Sequence, residues 1–269
     1  MKLEARELAF GYRGHPVGRD VSLSLEAGEV MCLLGPNGSG KTTLFKTLLG
    51  LLPALGGQVL MDGTELRARR RDEVARMVSY VPQAHAAFFP FTVREVVLMG
   101  RTAHLGVFSS PSRHDHDVAL AALERLGLAH LAESAYTRIS GGERQLVLVA
   151  RALAQEAGIV VMDEPTANLD FGNQVRVIDH VQDLARLGTG VLLSTHDPDQ
   201  AFVCADRVAM LHRGRLERFG SPSEVITSDS LRQIYGVDVM VASIPLGTGS
   251  GSRQRQVCIP LGSPPGVRG

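Results

Sequence analysis

The chain lacks any apolar run of the roughly 18 to 20 residues that a membrane-spanning helix requires. Its nearest approach, LFKTLLGLLPALGG, is broken by Lys46, Gly50 and Pro53. The first residues, MKLEARELAF, hold no apolar stretch of the kind a secretory signal needs, so none is expected. Cysteine is scarce. Cys32, Cys204 and Cys258 are scattered, with neither metal-ligand spacing nor a paired pattern. An excess of one charge is missing too: 28 basic residues face 28 acidic ones, so no global field draws the chain to nucleic acid or anionic lipid. Nucleic acid is therefore not an expected partner. There is no internal repeat. These absences predict a cytosolic globular protein. At 269 residues and 44% hydrophobic content, the chain can bury the core of one large α/β domain or two small ones.

ELAFGY and VSLSLEAGEVMCLLG read as strands, the second alternating at first and then continuously apolar, as a buried central strand would be. A helix is predicted from Gly40 to about Leu49, stopped by Gly50 and Pro53. RMVSYVPQ is a further strand entering a loop. The next segments, TVREVVLMGR, HDHDVALAALERLG and ERQLVLVARALAQEA, read as helices. Strands return at GIVVMDEP, GVLLSTHD and DRVAMLHRGRLERFG, with the helix GNQVRVIDHVQDLARLG between the first two. This predicts an α/β sheet domain over residues 1–236, with a helical insert at about 84–156. From 237 to 269 the chain is rich in Gly, Ser and Pro; VMVASIP and RQVCIPL either pair as a small hairpin or stay flexible.

GPNGSGKT fits G-x-x-x-x-G-K-[ST] in the context that the motif needs, after an apolar strand and before a helix. Gly35, Gly38 and Gly40 let backbone N–H groups point inward as an anion nest at a helix N-terminus. Pro36, Asn37, Ser39 and Thr43 complete the loop. Lys41 is placed to reach the β- and γ-phosphates of a nucleotide, and the Thr42 hydroxyl to bind Mg²⁺. IVVMDEP supplies the matching acids. A hydrophobic strand leaves Asp163 at the carboxyl edge of the sheet, suited to holding Mg²⁺, and sets Glu164 to polarise a water.

A second anion device lies about a hundred residues away, in ISGGE. Ser140 and Glu143 form a capping box, which accounts for the serine and the glutamate. It does not account for Gly141 and Gly142, at helical positions where glycine costs about 0.5–1 kcal/mol each against alanine. Bare glycines there expose unpaired N–H groups and admit a bulky anion.

The order of phosphate loop, Gln83 after a strand, ISGGE, VVMDEPTANLD and STHD resembles the ATP-binding-cassette ATPases over roughly residues 1 to 235. The resemblance implies a P-loop NTPase sheet core with an inserted α-helical subdomain, binding ATP and Mg²⁺. It also implies a head-to-tail homodimer, in which Ser140, Gly141, Gly142 and Glu143 of one chain complete the nucleotide site of the other. By the same resemblance Tyr12 stacks on adenine, Gln83 senses Mg²⁺ and links the site to a transmembrane partner, His196 senses the γ-phosphate, and Asp170 contacts the partner chain. Glu143 stands where glutamine is commoner, and Asn168 where small residues are frequent. No ligand set surrounds the remaining histidines, including the pair in SRHDHD, which read as surface residues of the insert.

The segment FTVREVVLMGRTAHLGVFSSPSRHD, with ISGGERQLVLVARALAQ and LDFGNQ, is similar to importer ATPases for iron–siderophore, haem and cobalamin. Molybdate or tungstate importers share that architecture, and an iron–sulfur cluster assembly ATPase is the non-transport alternative. An importer ATPase would sit on the cytoplasmic face of the inner membrane, beneath two permease subunits and indirectly served by a substrate-binding protein. The apolar AAFFPF after Gln83 fits that reading, since a free-standing enzyme has little reason to expose Phe88 and Phe89.

Overall fold

The computed structural model describes residues 1–83, 90–106, 109–167, 169–246 and 253–261. The chain opens with β1 (Lys2–Tyr12), β2 (His15–Glu26) and β3 (Val30–Leu34), followed by α1 (Lys41–Leu48). Next come β4 (Gly56–Met61), β5 (Thr64–Glu65), α2 (Arg71–Met77) and β6 (Val78–Val81). Three helices then intervene, α3 (Val93–Leu98), α4 (Arg113–Arg125) and α5 (Gly141–Ala154), before β7 (Ile159–Met162). The remainder is α6 (Phe171–Arg186), β8 (Gly190–Thr195), α7 (Pro198–Cys204), β9 (Arg207–His212), β10 (Arg215–Gly220), α8 (Pro222–Val225), α9 (Ser228–Tyr235), β11 (Val239–Leu246) and β12 (Arg253–Pro260).

One sheet has the order β2-β1-β4-β5 and is antiparallel. The other runs β10-β9-β3-β8-β7-β6 and is parallel except for β10. Strand β3 lies inside this second sheet with both faces covered, which is why all five of its residues are apolar and buried. Alternation along it feeds two cores. Met31 and Leu33 pack with Leu3, Phe10, Leu44 and Phe45, against the first sheet and α1. Cys32 and Leu34 face the side that carries α3 to α7. The change of strand order around β3 opens a crevice at the carboxyl ends of the strands, where ligands of such sheets bind.

Helices α3, α4 and α5 each begin on a capping box, Thr92 with Glu95, Ser112 with Asp115, and Ser140 with Glu143. A buried guanidinium ties them together. Arg101 Nε donates to Asp115 Oδ1 at 3.0 Å, while Nη1 donates to Ala154 O at 2.8 Å and Glu156 Oε2 at 2.6 Å. The two Ser112 hydrogen bonds, then Arg101, hold the Asp115 carboxyl well below the usual aspartate range.

Several boundaries differ from the sequence reading. VSLSLEAGEVMCLLG is two strands in two sheets, parted by a turn at Gly28 with φ 80°. DRVAMLHRGRLERFG likewise folds back at Arg213 and Gly214, both with positive φ, into β9 and β10. Strands β4 and β5 and helices α2, α7, α8 and α9 were not anticipated. Near the end, β11 and β12 pair antiparallel from Val239↔Pro260 to Leu246↔Arg253. The Cys258 N–H of this hairpin donates to Asp199 Oδ1 on α7 at 2.8 Å.

Candidate functional site

The loop between β3 and α1 is shaped by close approach. A Cβ at Gly35 would sit 2.3 Å from Leu211 O, and Gly40 combines φ 104° with Val17 Cγ1 at 2.9 Å. Helix α1 has no side-chain cap and no acid in its first turn, so its leading N–H groups remain for an anion. Among the described residues the buried Ser39 hydroxyl has no hydrogen-bond partner. Lys41 is only 6% exposed; its Nζ donates to Gly35 O at 2.8 Å and to Pro36 O at 3.2 Å. Asn37, Gly38, Gly40, Lys41, Thr42 and Thr43 line a cavity of about 450 Å³, together with Gln83 and Glu164.

Strand β7 delivers Asp163 and Glu164 to the same edge, one strand from β3 across β8. Asp163 is buried, and its Oδ1 accepts from Ser194 Oγ at 2.7 Å. The same hydroxyl accepts the Glu164 N–H at 2.9 Å. Glu164 has φ 47°, a strained conformation for a residue with a side chain, of the sort that concentrates at working sites. That geometry sets its carboxylate between two bases, Lys41 Nζ at 3.3 Å from Oε1 and His196 Nδ1 at 3.6 Å from Oε2. Burial, then the Asp163 charge, pushes the Tyr80 phenol above its ordinary range. A second cavity of about 350 Å³ adjoins, lined by Gln83, Glu164, Thr166, Thr195, His196 and Gln200 among others. Gln83 and Glu164 belong to both cavities.

Other residues singled out in the sequence stand apart from this cluster. Tyr12 is 49% exposed at the tip of the β1–β2 hairpin. Asp170 caps α6, accepting from Asn173 N at 2.8 Å. None of the described residues lining the two cavities comes from 140–143. Ser140 Oγ accepts the Glu143 N–H at 3.2 Å, and Glu143 Oε2 accepts the Ser140 N–H at 2.7 Å, so this cap holds the Glu143 carboxyl below its usual range. Among the described residues nothing requires the neighbouring glycines: neither has positive φ, and an added Cβ would meet no described atom nearer than 3.8 Å at Gly141 or 3.4 Å at Gly142. Phe88, Phe89 and Asn168 lie outside the described residues.

Sequence reading missed Ser194, Thr195, Thr166 and Gln200. A faint signal existed: the apolar GVLLST of β8 ends in two hydroxyl residues, and register opposes Met162 to Leu193, which puts Ser194 beside Asp163.

The donor set suits a magnesium nucleotide. Thr42, Asp163 and Gln83 offer the oxygen ligands that Mg²⁺ prefers. Among the described residues no three His, Cys, Asp or Glu side chains gather into a metal cage, so an ion here would need phosphate oxygens to complete its shell.

The chain resembles known proteins over most of its length. The family model described as ABC transporter matches residues 19–167. An uncharacterized ABC transporter ATP-binding protein of Haemophilus influenzae is 44% identical over 235 residues, covering 87% of this chain and 89% of the relative. A hemin import ATP-binding protein of Nocardia farcinica is 41% identical, covering 91% and 86%. A solved structure of a metal-chelate type ABC transporter in an inward-facing conformation superposes with TM-score 0.82 at 32% identity, covering 96% of both chains.

Proposed function

The chain belongs to the ABC transporter ATP-binding family, and from that premise we propose that it is the ATP-hydrolysing subunit of a metal-chelate importer. It works as a head-to-tail pair beneath two permease subunits, on the cytoplasmic face of the inner membrane, with a substrate-binding protein delivering cargo to the permeases. The carrying observation is the convergence of Lys41, Glu164 and His196 at the carboxyl edge of the sheet, beside the buried Asp163.

In this reading Gly35 to Gly40 cradle the phosphates with backbone N–H groups, and Lys41 leaves its own loop carbonyls and Glu164 to meet the β- and γ-phosphates. The free Ser39 hydroxyl is one more donor for the same oxygens. Thr42, Asp163 and Gln83 would hold Mg²⁺, which when bound would supply positive charge to offset that developing on the phosphates. Once Lys41 has turned to phosphate, Glu164 accepts a proton from the attacking water. His196, on the far side of that carboxylate, donates to the γ-phosphate. Tyr12 offers an exposed ring for adenine, a stack worth ~1–3 kcal/mol.

Support for pairing comes from the glycines. Gly141 and Gly142 sit where their own fold would accept alanine, so the demand for bare backbone comes from outside the chain. The partner's nucleotide meets that demand, bound by Ser140, Gly141, Gly142 and the capped Glu143. Asp170, exposed at the start of α6, faces the same partner. For cargo, relatives include hemin and cobalamin import ATP-binding proteins and a ferric enterobactin transport ATP-binding protein; a molybdate import ATP-binding protein is 34% identical. Among the described residues no helix is long and apolar enough to cross a membrane.

The test uses Glu164→Gln. ATP binding is retained and hydrolysis falls roughly 10²–10⁴-fold; turnover near wild type would remove Glu164 from its role. Vesicles holding the whole transporter then decide the cargo. ATP-driven uptake of an iron–siderophore, haem or cobalamin supports the chelate reading, and uptake of molybdate alone contradicts it.

A further inference from the structure

We propose that Gln200 is a positioning residue, whose single amide oxygen locks together the two loops that carry Glu164 and His196; this rests on the hydrolytic roles given to those residues above. Strand β7 exits through Asp163, Glu164 and Thr166, and β8 through Thr195, His196 and Asp197. Thr166 and Thr195 are 5% and 2% exposed, and each buried hydroxyl needs an acceptor. Both find the same one. Thr166 Oγ1 donates to Gln200 Oε1 at 2.9 Å, and Thr195 Oγ1 donates to it at 3.0 Å.

The anchor is firm on its own side. Gln200 projects from α7, which starts with Asp197 capping the Asp199 N–H and Pro198 in the first turn, and which buries Ala201 and Cys204 in the core. The Asp197 N–H in turn donates to Thr195 Oγ1 at 3.0 Å, closing the turn in which His196 sits. His196 itself is 57% exposed along its side chain and meets Glu164 at 3.6 Å, so its placement follows the backbone of 195–197. Gln200 thereby fixes His196 indirectly, and couples it to the strand exit that positions Glu164 and leads on to Asp170. A displacement of either loop must break or carry the other.

Gln200→Met keeps the length of the side chain and removes the acceptor; Gln200→Glu keeps an acceptor oxygen. For each, kcat, KM for ATP and the urea unfolding midpoint are measured, with Glu164→Gln alongside. The methionine variant is expected to lose about tenfold or more in kcat with KM little changed, to unfold at a lower urea midpoint because two buried hydroxyls lose their acceptor, and the glutamate variant to rescue most of both losses. Thr166→Val and Thr195→Val give an independent route: each lowers kcat alone and adds little on top of Gln200→Met. Wild-type kcat in Gln200→Met overturns the proposal. So does a drop in the unfolding midpoint without a change in kcat, or a folded glutamate variant as impaired as the methionine one. Should Glu164→Gln keep its turnover, the hydrolysis reading fails; should it lose turnover while Gln200→Met keeps it, Gln200 alone fails.

Discussion

Replacing Glu164 by glutamine is expected to tighten ATP binding before any hydrolysis occurs, because Lys41 is already engaged. Its Nζ lies 3.3 Å from Glu164 Oε1, and the two side chains are 6% and 15% exposed. At an effective dielectric of about 20, an ion pair at that separation attracts by roughly 5 kcal/mol gross. Most of this is recovered when a phosphate replaces the carboxylate, and Nζ keeps acceptors in Gly35 O and Pro36 O. A residue of about 1–2 kcal/mol, the cost of parting the pair and of seating phosphate near a second anion, corresponds to a roughly 5- to 30-fold fall in Kd. The assay is equilibrium titration of dilute protein with ATP in EDTA, where neither hydrolysis nor a divalent ion intervenes. AMP is the control, since it lacks the β- and γ-phosphates proposed to meet Lys41. An ATP Kd unchanged within twofold, or an equal gain for AMP, would refute the reasoning.

Three further outcomes are expected. Ser194→Ala strips the partner from a buried Asp163 oxygen and from the Glu164 N–H. It should cost roughly 2–4 kcal/mol in urea unfolding at unchanged m, and depress hydrolysis as well. Gly142→Ala should leave the isolated chain as stable or more stable, by up to ~1 kcal/mol, while reducing nucleotide trapped in the dimer. Asp115 is held below its ordinary 3.8, so its stabilisation is complete above that pH and fades as pH falls beneath it. The difference in urea midpoint between wild type and Asp115→Asn should accordingly be widest near neutrality and shrink in acid.

The phosphate loop and the acids after β7 were legible because each is a local device, a glycine-rich turn or a pair of acids bounded by an apolar strand. Helices α4, α5 and α6 were legible for a similar reason, since each carries a cap and a periodic apolar face within its own segment. Ser194, Thr166, Thr195 and Gln200 were not, for a physical reason. Their role exists only through neighbours in space, β8 beside β7 and α7 beneath both exits, and a hydroxyl at a strand end looks like any turn residue. The split of VSLSLEAGEVMCLLG was hidden likewise. An alternating edge strand and an all-apolar central one follow each other with only a short turn between, so periodicity alone joins them. The ion pair between Lys41 and Glu164 could not be read either, because it joins residues more than a hundred positions apart.

Whether ISGGE serves the nucleotide of another chain, as proposed, is decided by a forced heterodimer. One chain carries Lys41→Ala and the other Ser140→Arg, both in a Glu164→Gln background, and trapped ATP is counted per heterodimer. If the motif acts across the interface, both defects fall in one site and the other stays intact, by the symmetry of the pair. About one trapped ATP is the predicted result, held by the intact site. The contradicting result is little trapping in that pair, with much more when both substitutions share one chain and the other chain has neither.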